Sequence, residues 1–224
     1  MFYLFNYFRL VFIYLILLSF NILAHTMERA DFDNVTLKDF QWLNEPKHWH
    51  LDKETLEATT DNRTDFWQGT WYNFHVNTGH VFGVRLKDDF EFTVRVEADF
   101  TTLYDQAGLM IYSDEKHWLK AGIEYNDGQP MIGSVMTNVL SDWATGVYPG
   151  NPRKFWLRLT RTKGVVCVKY SIDNITWILL RLSPFEAETV LVGPMCCSPQ
   201  REGLVVKFSD IKIGKPADDI LHSN

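Results

Sequence analysis

The sequence predicts an all-β protein built as a two-sheet antiparallel sandwich, and three observations support this. From Phe32 onward, apolar and polar residues alternate with a period of two, and helical periodicity is nearly absent. The alternating segments follow one another at short, regular intervals. The connections between them are rich in Gly, Asn and Asp, which favour tight turns. Short strands with such turns are typical of two packed antiparallel sheets.

The clearest strand is "DFEFTVRVEADF", residues 89–100. Successive side chains of a strand point to opposite faces. One face therefore carries only apolar residues and the other carries polar ones, which is typical of a half-buried strand. The apolar residues are Phe90, Phe92, Val94, Val96, Ala98 and Phe100.

The next two strands, Tyr104–Tyr112 and Trp118–Tyr125, are predicted to form a hairpin around the loop Ser113–His117. One face of this pair is an ordinary core set: Ala107, Leu109, Ile111, Leu119, Ala121, Ile123 and Tyr125. The opposite face is unusual for a surface exposed to solvent. It carries Gln106, Gly108, Met110, Tyr112, Trp118, Lys120, Gly122 and Glu124.

A trough follows if Tyr112 lies opposite Trp118, because that register sets Gly108 against Gly122. Two opposed glycines leave a gap in the side-chain layer, between an aromatic pair and a hydrogen-bonding pair. An amphipathic trough of this kind suits a sugar ring. In the alternative interpretation, the segment "TNVLSDWATGVYPGNP", residues 137–152, is a long loop that folds over the trough, and the glycines serve packing alone.

The later strands are marked by their turns. "YNDGQ" predicts a hairpin turn after Glu124. In residues 155–177 the turns fall at Lys163-Gly164 and at Asp173-Asn174, and the last strand is predicted within residues 203–214. In "FWLRLT", Trp156 and Arg158 fall on the polar side and are expected to extend the face of the trough. We predict one domain over residues 27–215, followed by a tail at 216–224.

Composition excludes several classes of protein. The chain has 224 residues, is 46% hydrophobic and carries a formal net charge of −6 without a basic run, so a nucleic-acid partner is not expected. The number and spacing of the cysteines do not predict a disulfide-bonded fold, because there are only three and two of them are adjacent: Cys167, Cys196 and Cys197. The seven histidines are scattered, and neither a metal-ligand spacing nor a phosphate loop occurs, so we expect no cofactor or metal.

The first 26 residues are strongly apolar and predict a signal peptide or an N-terminal hydrophobic segment. Sequons at Asn34, Asn62 and Asn174 favour the secretory pathway, whereas the unpaired thiols argue against it. Alternatively Met27 is the true start and the protein is cytoplasmic. Contact with a membrane is expected only through residues 1–26, if they are retained.

At "DQAGLMIYSDEKHWLKAGIEY" the chain resembles the regulation-of-enolase family, which is named for a yeast protein. Further matches are "LKDFQWLNEP", "TDFWQGT", "SDW", "YSIDNITW" and "GPMCCSPQREG", which extend the resemblance from about Leu37 to Ile213. The resemblance implies a jelly-roll sandwich of the concanavalin A-like lectin/glucanase type, with a concave face and a link to carbohydrate metabolism. The pattern is also similar to the C-terminal β-sandwich of bacterial β-xylosidases.

The motifs that carry the resemblance include Asp65, Trp67, Asp105, Gln200 and Arg201. We expect Asp105 to point away from the groove into a structural contact, and Gln200-Arg201 to stabilise a turn. The predicted ligand-binding residues, taken from the trough, from "SDW" and from "FWLRLT", are Gln106, Trp118, Lys120, Glu124, Arg158, Trp156, Asp142 and Trp143.

Three functions are consistent with these residues. The first is a non-catalytic carbohydrate-binding module that takes a neutral oligosaccharide. The second is a protein-interaction module that regulates a metabolic enzyme such as enolase. The third, a glycoside hydrolase, needs two carboxylates about 5–10 Å apart. Glu124 is the only carboxylate on its strand face; Asp142 could supply a second, but the sequence does not fix the distance between them. We expect no catalytic residue.

Overall fold

A computed structural model describes residue 32 and residues 35–223, so the predicted N-terminal segment and the Asn34 sequon lie outside the described residues. The described part begins with a short 3-10 turn, Leu37–Asp39, and continues with sixteen β-strands. The strands are β1 (Gln41–Leu43), β2 (His48–Asp52), β3 (Thr55–Thr59), β4 (Phe66–Gln68), β5 (His75–Asn77), β6 (His80–Leu86), β7 (Phe90–Ala98), β8 (Gln106–Asp114), β9 (His117–Asn126), β10 (Gln129–Asn138), β11 (Leu140–Val147), β12 (Lys154–Thr162), β13 (Val165–Ser171), β14 (Ile178–Pro184), β15 (Val190–Cys197) and β16 (Val205–Gly214).

Two seven-stranded sheets make the sandwich. The front sheet has the order β1-β6-β15-β8-β9-β10-β11, and the back sheet has the order β14-β13-β12-β7-β16-β3-β2. Every strand pairing in both sheets is antiparallel. The predicted all-β, two-sheet antiparallel sandwich is therefore confirmed, and the lectin/glucanase subtype stays a prediction.

The core lies between the sheets, and the period-two pattern explains its composition. On β7, the predicted inward side chains Phe90, Phe92, Val94 and Val96 are fully buried. The inward face of β8 and β9 meets them with its predicted aliphatic set, which belongs to the same cluster. Burial of such apolar area contributes about 25 cal/mol per Å² and is the main term that stabilises the sandwich.

The predicted register of β8 and β9 is confirmed, since Tyr112 pairs with Trp118 and Gly108 pairs with Gly122. The two glycines are required because the strands approach closely. A Cβ built on Gly122 would collide with the carbonyl oxygen of Ala107, and one on Gly108 would collide with that of Ala121. Backbone packing alone thus accounts for both glycines.

The predicted long loop at 137–152 is wrong. Most of it forms the β10–β11 hairpin, which adds a strand to the edge of the front sheet and sets Trp143 opposite Val135. The segment that does cover the front sheet is a separate hairpin, β4–β5, with its connecting loop. We call residues 66–77 the flap.

The C-terminal tail packs on the back sheet. The Lys169 amine donates a hydrogen bond to the Ser223 carbonyl at 2.7 Å, and the Cys167 thiol lies 3.6 Å from the Ile220 carbonyl. The tail thereby covers part of β13. In the part of the chain that the structure describes, no helix is long and apolar enough to span a membrane.

Candidate binding pocket between the flap and the front sheet

A pocket opens on the outer face of the front sheet, where β8 to β11 meet the flap. Its empty volume, which includes space open to solvent, is about 620 Å³. The lining residues combine five aromatic rings with several polar groups. They are Asp65, Trp67, Tyr72, Phe74, Tyr104, Gln106, Lys120, Glu124, Val135, Trp143, Pro199 and Gln200.

Aromatic rings set at steep angles to one another form the walls. Trp67 of the flap meets Tyr72 at 5.8 Å between ring centroids and Trp143 at 6.3 Å, both edge to face. Trp143 in turn meets Tyr104 at 6.4 Å with an interplanar angle of 76°. Such edge-to-face contacts are favourable, and they hold the rings in place before any ligand arrives.

A hydrogen bond links the two sides of the pocket. The hydroxyls of Tyr72, from the flap, and Tyr104, from the sheet side, lie 2.9 Å apart. Tyr104 adopts a left-handed backbone conformation with φ of 66°, which is uncommon outside glycine. The hydrogen bond to Tyr72, together with burial, raises the pKa of Tyr104 to about 12.

The flap is anchored at both ends. The backbone N–H of Gln68 donates to the Ser141 hydroxyl on β11 at 2.9 Å, and the Asn77 amide donates to the Tyr112 hydroxyl on β8 at 3.2 Å. Phe66, the first residue of the flap, is fully buried and packs against Trp118 of the sheet. The flap therefore behaves as a fixed wall of the pocket.

An ion pair occupies the floor. The Lys120 ammonium lies 2.8 Å from Asp65 Oδ1 and also donates to the Phe66 carbonyl at 2.8 Å. Burial is the largest single influence and would lower the pKa of Lys120, but Asp65, Cys197 and Glu124 together outweigh it, so the pKa lies above its ordinary value. The Gln106 amide also approaches Asp65 Oδ1, at 3.4 Å. The pair is therefore charged and largely satisfied.

Glu124 is different, because its carboxylate lacks a partner. Its Oε1 is shielded from solvent and accepts no hydrogen bond from any described residue. Burial raises the pKa of Glu124 to about 7; Lys120 opposes this shift and Asp65 adds to it. A buried acceptor without a donor is unfavourable, so this group is the one most ready to receive a donor from a ligand.

Four of the eight predicted ligand-binding residues meet in this pocket: Gln106, Lys120, Glu124 and Trp143. The sequence placed the first three together through the β8–β9 register. Trp143 joins them because β11 pairs with β10, which brings its side chain onto the same outer face.

The placement of Trp118 in the groove is wrong. Its side chain is fully buried, its ring lies 5.9 Å from that of Phe66, and its indole N–H donates to the Glu115 carbonyl at 3.0 Å. The flap covers the aromatic end of the trough, so Trp118 is a core residue.

The placement of Trp156 and Arg158 beside the trough is also wrong. Both lie on β12, which belongs to the back sheet and pairs with β7 and β13. The Trp156 indole donates to Asp210 at 3.3 Å, and the Arg158 guanidinium stacks 4.0 Å above the Trp177 ring. They belong to the opposite outer face of the sandwich.

Asp142 is the fourth residue that does not reach the pocket. Side chains alternate along β11, so Asp142 points away from the face that Trp143 occupies. Its carboxylate lies 3.4 Å from the Arg181 guanidinium on β14. It therefore supplies no second carboxylate beside Glu124.

Sequence reasoning did not select Asp65, Trp67, Tyr72, Phe74 and Tyr104 as pocket residues. The signal was present in "TDFWQGTWYNF", where five aromatic residues lie in a segment rich in turn-forming residues. No local sequence pattern indicates that this segment folds back over β8 and β9. Gln200 also reaches the pocket, although its sequence pattern favours a turn.

Asp105 makes the structural contact expected of it. It is fully buried, accepts hydrogen bonds from the Arg201 guanidinium at 3.0 and 3.1 Å, and accepts two more from the backbone N–H groups of Thr101 and Thr102. These bonds fix the loop that precedes β8, and with it the position of Tyr104.

The described residues contain no group of three or more His, Cys, Asp or Glu side chains arranged to hold a metal ion. The thiols of Cys196 and Cys197 are buried, and burial raises the pKa of both. What the pocket offers is apolar ring surface, an ion pair and one unpartnered carboxyl group.

Fold and pocket together define the class: a β-sandwich module with one aromatic-walled pocket on an outer sheet face. The chain belongs to the family described as "Protein of unknown function (DUF1349)", whose model matches residues 42–216. It is 47% identical over 190 residues to Regulation of enolase protein 1 of Saccharomyces cerevisiae, covering 84% of this chain and 96% of that protein. The resemblance to the regulation-of-enolase family is thus confirmed.

Solved structures support the fold. A functionally unknown protein from Saccharomyces cerevisiae superposes with a TM-score of 0.80 at 47% identity, over 82% of this chain and all of that one. The GH43 protein BlXynB (mutant K247S) from Bacillus licheniformis gives 0.65 at 18% identity, over 82% of this chain and 38% of that chain. The carbohydrate binding module CBM66 from Bacillus subtilis superposes with a TM-score of 0.52 at 11% identity, over 78% of this chain and 95% of that chain.

Proposed function

We propose that the protein is a non-catalytic carbohydrate-binding module whose site is the pocket between the flap and the front sheet. The observation that carries this proposal is the combination of five aromatic side chains with hydrogen-bonding groups in the lining of one pocket. A sugar ring presents apolar C–H faces and polar hydroxyl edges, so it needs both kinds of surface at once.

The comparisons add support at the level of architecture. Similar sandwiches occur within a GH43 protein and in a carbohydrate binding module, although identities below 20% speak for the fold alone. Fold does not determine function, so the weight of the proposal rests on the pocket.

The proposal is tested by titrating the full chain with small saccharides in a calorimeter, using gluco-, xylo- and galacto-configured sugars. We expect saturable binding to at least one, weakened tenfold or more by Trp143→Ala, because that ring supplies part of the wall. Trp49→Ala is the matched control, since Trp49 is a partly exposed tryptophan on β2 at the opposite edge of the sandwich. If no sugar binds, or if both variants behave alike, the proposal is wrong.

A second candidate is an interaction with a metabolic enzyme, and the tip of the flap favours it. Trp71 is 91% exposed, and Tyr72 and Phe74 beside it are also exposed. Exposed aromatic clusters are common at protein interfaces. The yeast relative is named as a regulator of enolase. We expect purified Saccharomyces cerevisiae enolase to bind the full chain and Trp71→Ala to weaken binding, with Trp49→Ala as control; no binding would exclude enolase as the partner.

A further inference from the structure

Of the charged groups in the pocket, Glu124 is the one without an ion-pair partner. Lys120 and Asp65 neutralise each other across 2.8 Å. The other titratable groups that act on Glu124 or are influenced by it are Tyr104 and Cys197, and both have a raised pKa that keeps them neutral near pH 7. When Glu124 is ionised, the pocket therefore carries one net negative charge.

The hydrogen bonds point to the same group. Two protons of the Lys120 ammonium are directed to Asp65 and to the Phe66 carbonyl, and the Gln106 amide is directed to Asp65 and to the Tyr104 carbonyl. None of these donors reaches the Glu124 carboxylate. Its Oε1 is shielded from solvent and has no hydrogen-bond partner among the described residues, so a ligand would meet the carboxylate at Oε2. A ligand that fits this floor brings its own donor.

The walls favour a donor that is positively charged. Trp67, Tyr72, Tyr104 and Trp143 line the space above the floor and are held by their mutual contacts. A cation near the face of such rings gains roughly 0.5–2 kcal/mol, more when water is excluded. An uncharged hydroxyl gains no cation–π stabilisation.

We propose that the ligand of this pocket places one ammonium group against Glu124. The inference rests on the proposed carbohydrate-binding function, and together they assign the pocket to an unacetylated amino sugar. The ring of the sugar packs on the aromatic walls, and its ammonium pairs with Glu124, the pocket carboxyl group that no described residue hydrogen-bonds.

The test is a calorimetric comparison of D-glucosamine, D-glucose and N-acetyl-D-glucosamine on the full chain at pH 7. We expect glucosamine to bind at least tenfold more tightly than the other two. Glu124→Gln should abolish this preference, because the amide keeps the shape but not the charge. Glu54→Gln, which alters an exposed glutamate in the turn between β2 and β3, should retain the preference.

A second measurement does not depend on any variant. At pH 6 Glu124 is mostly protonated in the free protein, since burial holds its pKa at about 7. Pairing with an ammonium drives its ionisation, so glucosamine binding should release close to one proton, measurable from titrations in buffers with different ionisation enthalpies. Binding without proton release would overturn the assignment to Glu124.

The outcomes separate the two proposals. Equal affinity for glucosamine and glucose would overturn the amino-sugar inference and leave carbohydrate binding standing. Binding of Nα-acetyl-lysine methylamide but of neither sugar would keep the ammonium assignment and overturn the saccharide. No binding of any of these compounds would overturn both.

Discussion

The two ends of the β8–β9 outer face lie on the same pair of strands, yet one end is buried and the other is open. At one end Met110, Tyr112 and Trp118 are buried beneath the flap in a second apolar cluster. At the other end Gln106 and Glu124 line the open pocket. The flap packs Phe66 on the apolar end and leaves the polar end open.

The flap closes one end because Phe66 fits there. Its ring lies 5.9 Å from Trp118 and 6.4 Å from Tyr112, so the three rings form one packed unit. Past this unit the flap carries Trp67 and Tyr72, whose rings leave a space above the floor that they do not fill. One hairpin thus builds core at one end and a binding surface at the other.

The closed end should dominate stability. Trp118→Ala removes a fully buried indole and is expected to lower the free energy of unfolding by about 3–5 kcal/mol, because it leaves a cavity under the flap. Trp143→Ala, at the open end, is expected to cost about 1 kcal/mol or less. Chemical denaturation of both variants checks the contrast; equal losses would show that the two ends do not differ in this way.

Substitution in the glycine pair between the two ends should have the second-largest effect on stability. Gly122→Ala is expected to cost about 3 kcal/mol, because its new Cβ would collide with the Ala107 carbonyl and push β8 and β9 apart. Gly146→Ala on β11 is the matched control, since a Cβ there meets no atom within 4 Å. If thermal unfolding of the two variants is alike, the close approach of the strands is not what requires glycine.

Glu124→Gln should stabilise the protein in a pH-dependent way. The pKa of Glu124 is about 7 in the fold and 4.5 as the ordinary value, so ionisation of this group opposes folding. The penalty is absent below about pH 4.5 and complete above about pH 7. We expect the variant to gain about 1–3 kcal/mol at pH 8 and nothing at pH 4.5. Melting curves at both pH values test this, and an equal gain at both would contradict the raised pKa.

The hydrogen bond across the pocket should have the smallest effect on stability. Tyr72→Phe removes the hydroxyl that faces Tyr104 and is expected to cost about 0.5 kcal/mol, since the site is partly exposed. The clearer readout is the pKa of Tyr104, now about 12, which should fall when its largest cause is removed. Ultraviolet titration of the tyrosines shows whether it does.

Local pattern was enough to predict a large part of this molecule. Alternation along residues 89–100 and 104–125 indicated the inward faces, and hydrophobic burial enforced them, because a slip of one residue would expose every core side chain. The opposed glycines of β8 and β9 indicated the register, since no larger residue fits where the strands approach so closely.

The errors all concern relations between distant segments. Trp156 and Arg158 have the same local pattern as the trough residues, yet β12 pairs with β7 and lies in the other sheet. Residues 137–147 have turn formers and polar residues, yet they extend the front sheet, because β10 offers them a free edge. Local alternation states which residues share a face, but not which sheet the strand joins.

The sequence by itself determined the fold class, the two faces of each central strand and the trio of Gln106, Lys120 and Glu124. Each follows from steric and hydrophobic rules that act between near neighbours in the chain. Only the tertiary structure decided that the flap seals Trp118 and that Asp65 pairs with Lys120, leaving Glu124 without a partner. Those outcomes depend on contacts between residues about 50 positions apart in the chain. Such contacts are set by the packing of whole segments against one another, which local sequence patterns do not specify.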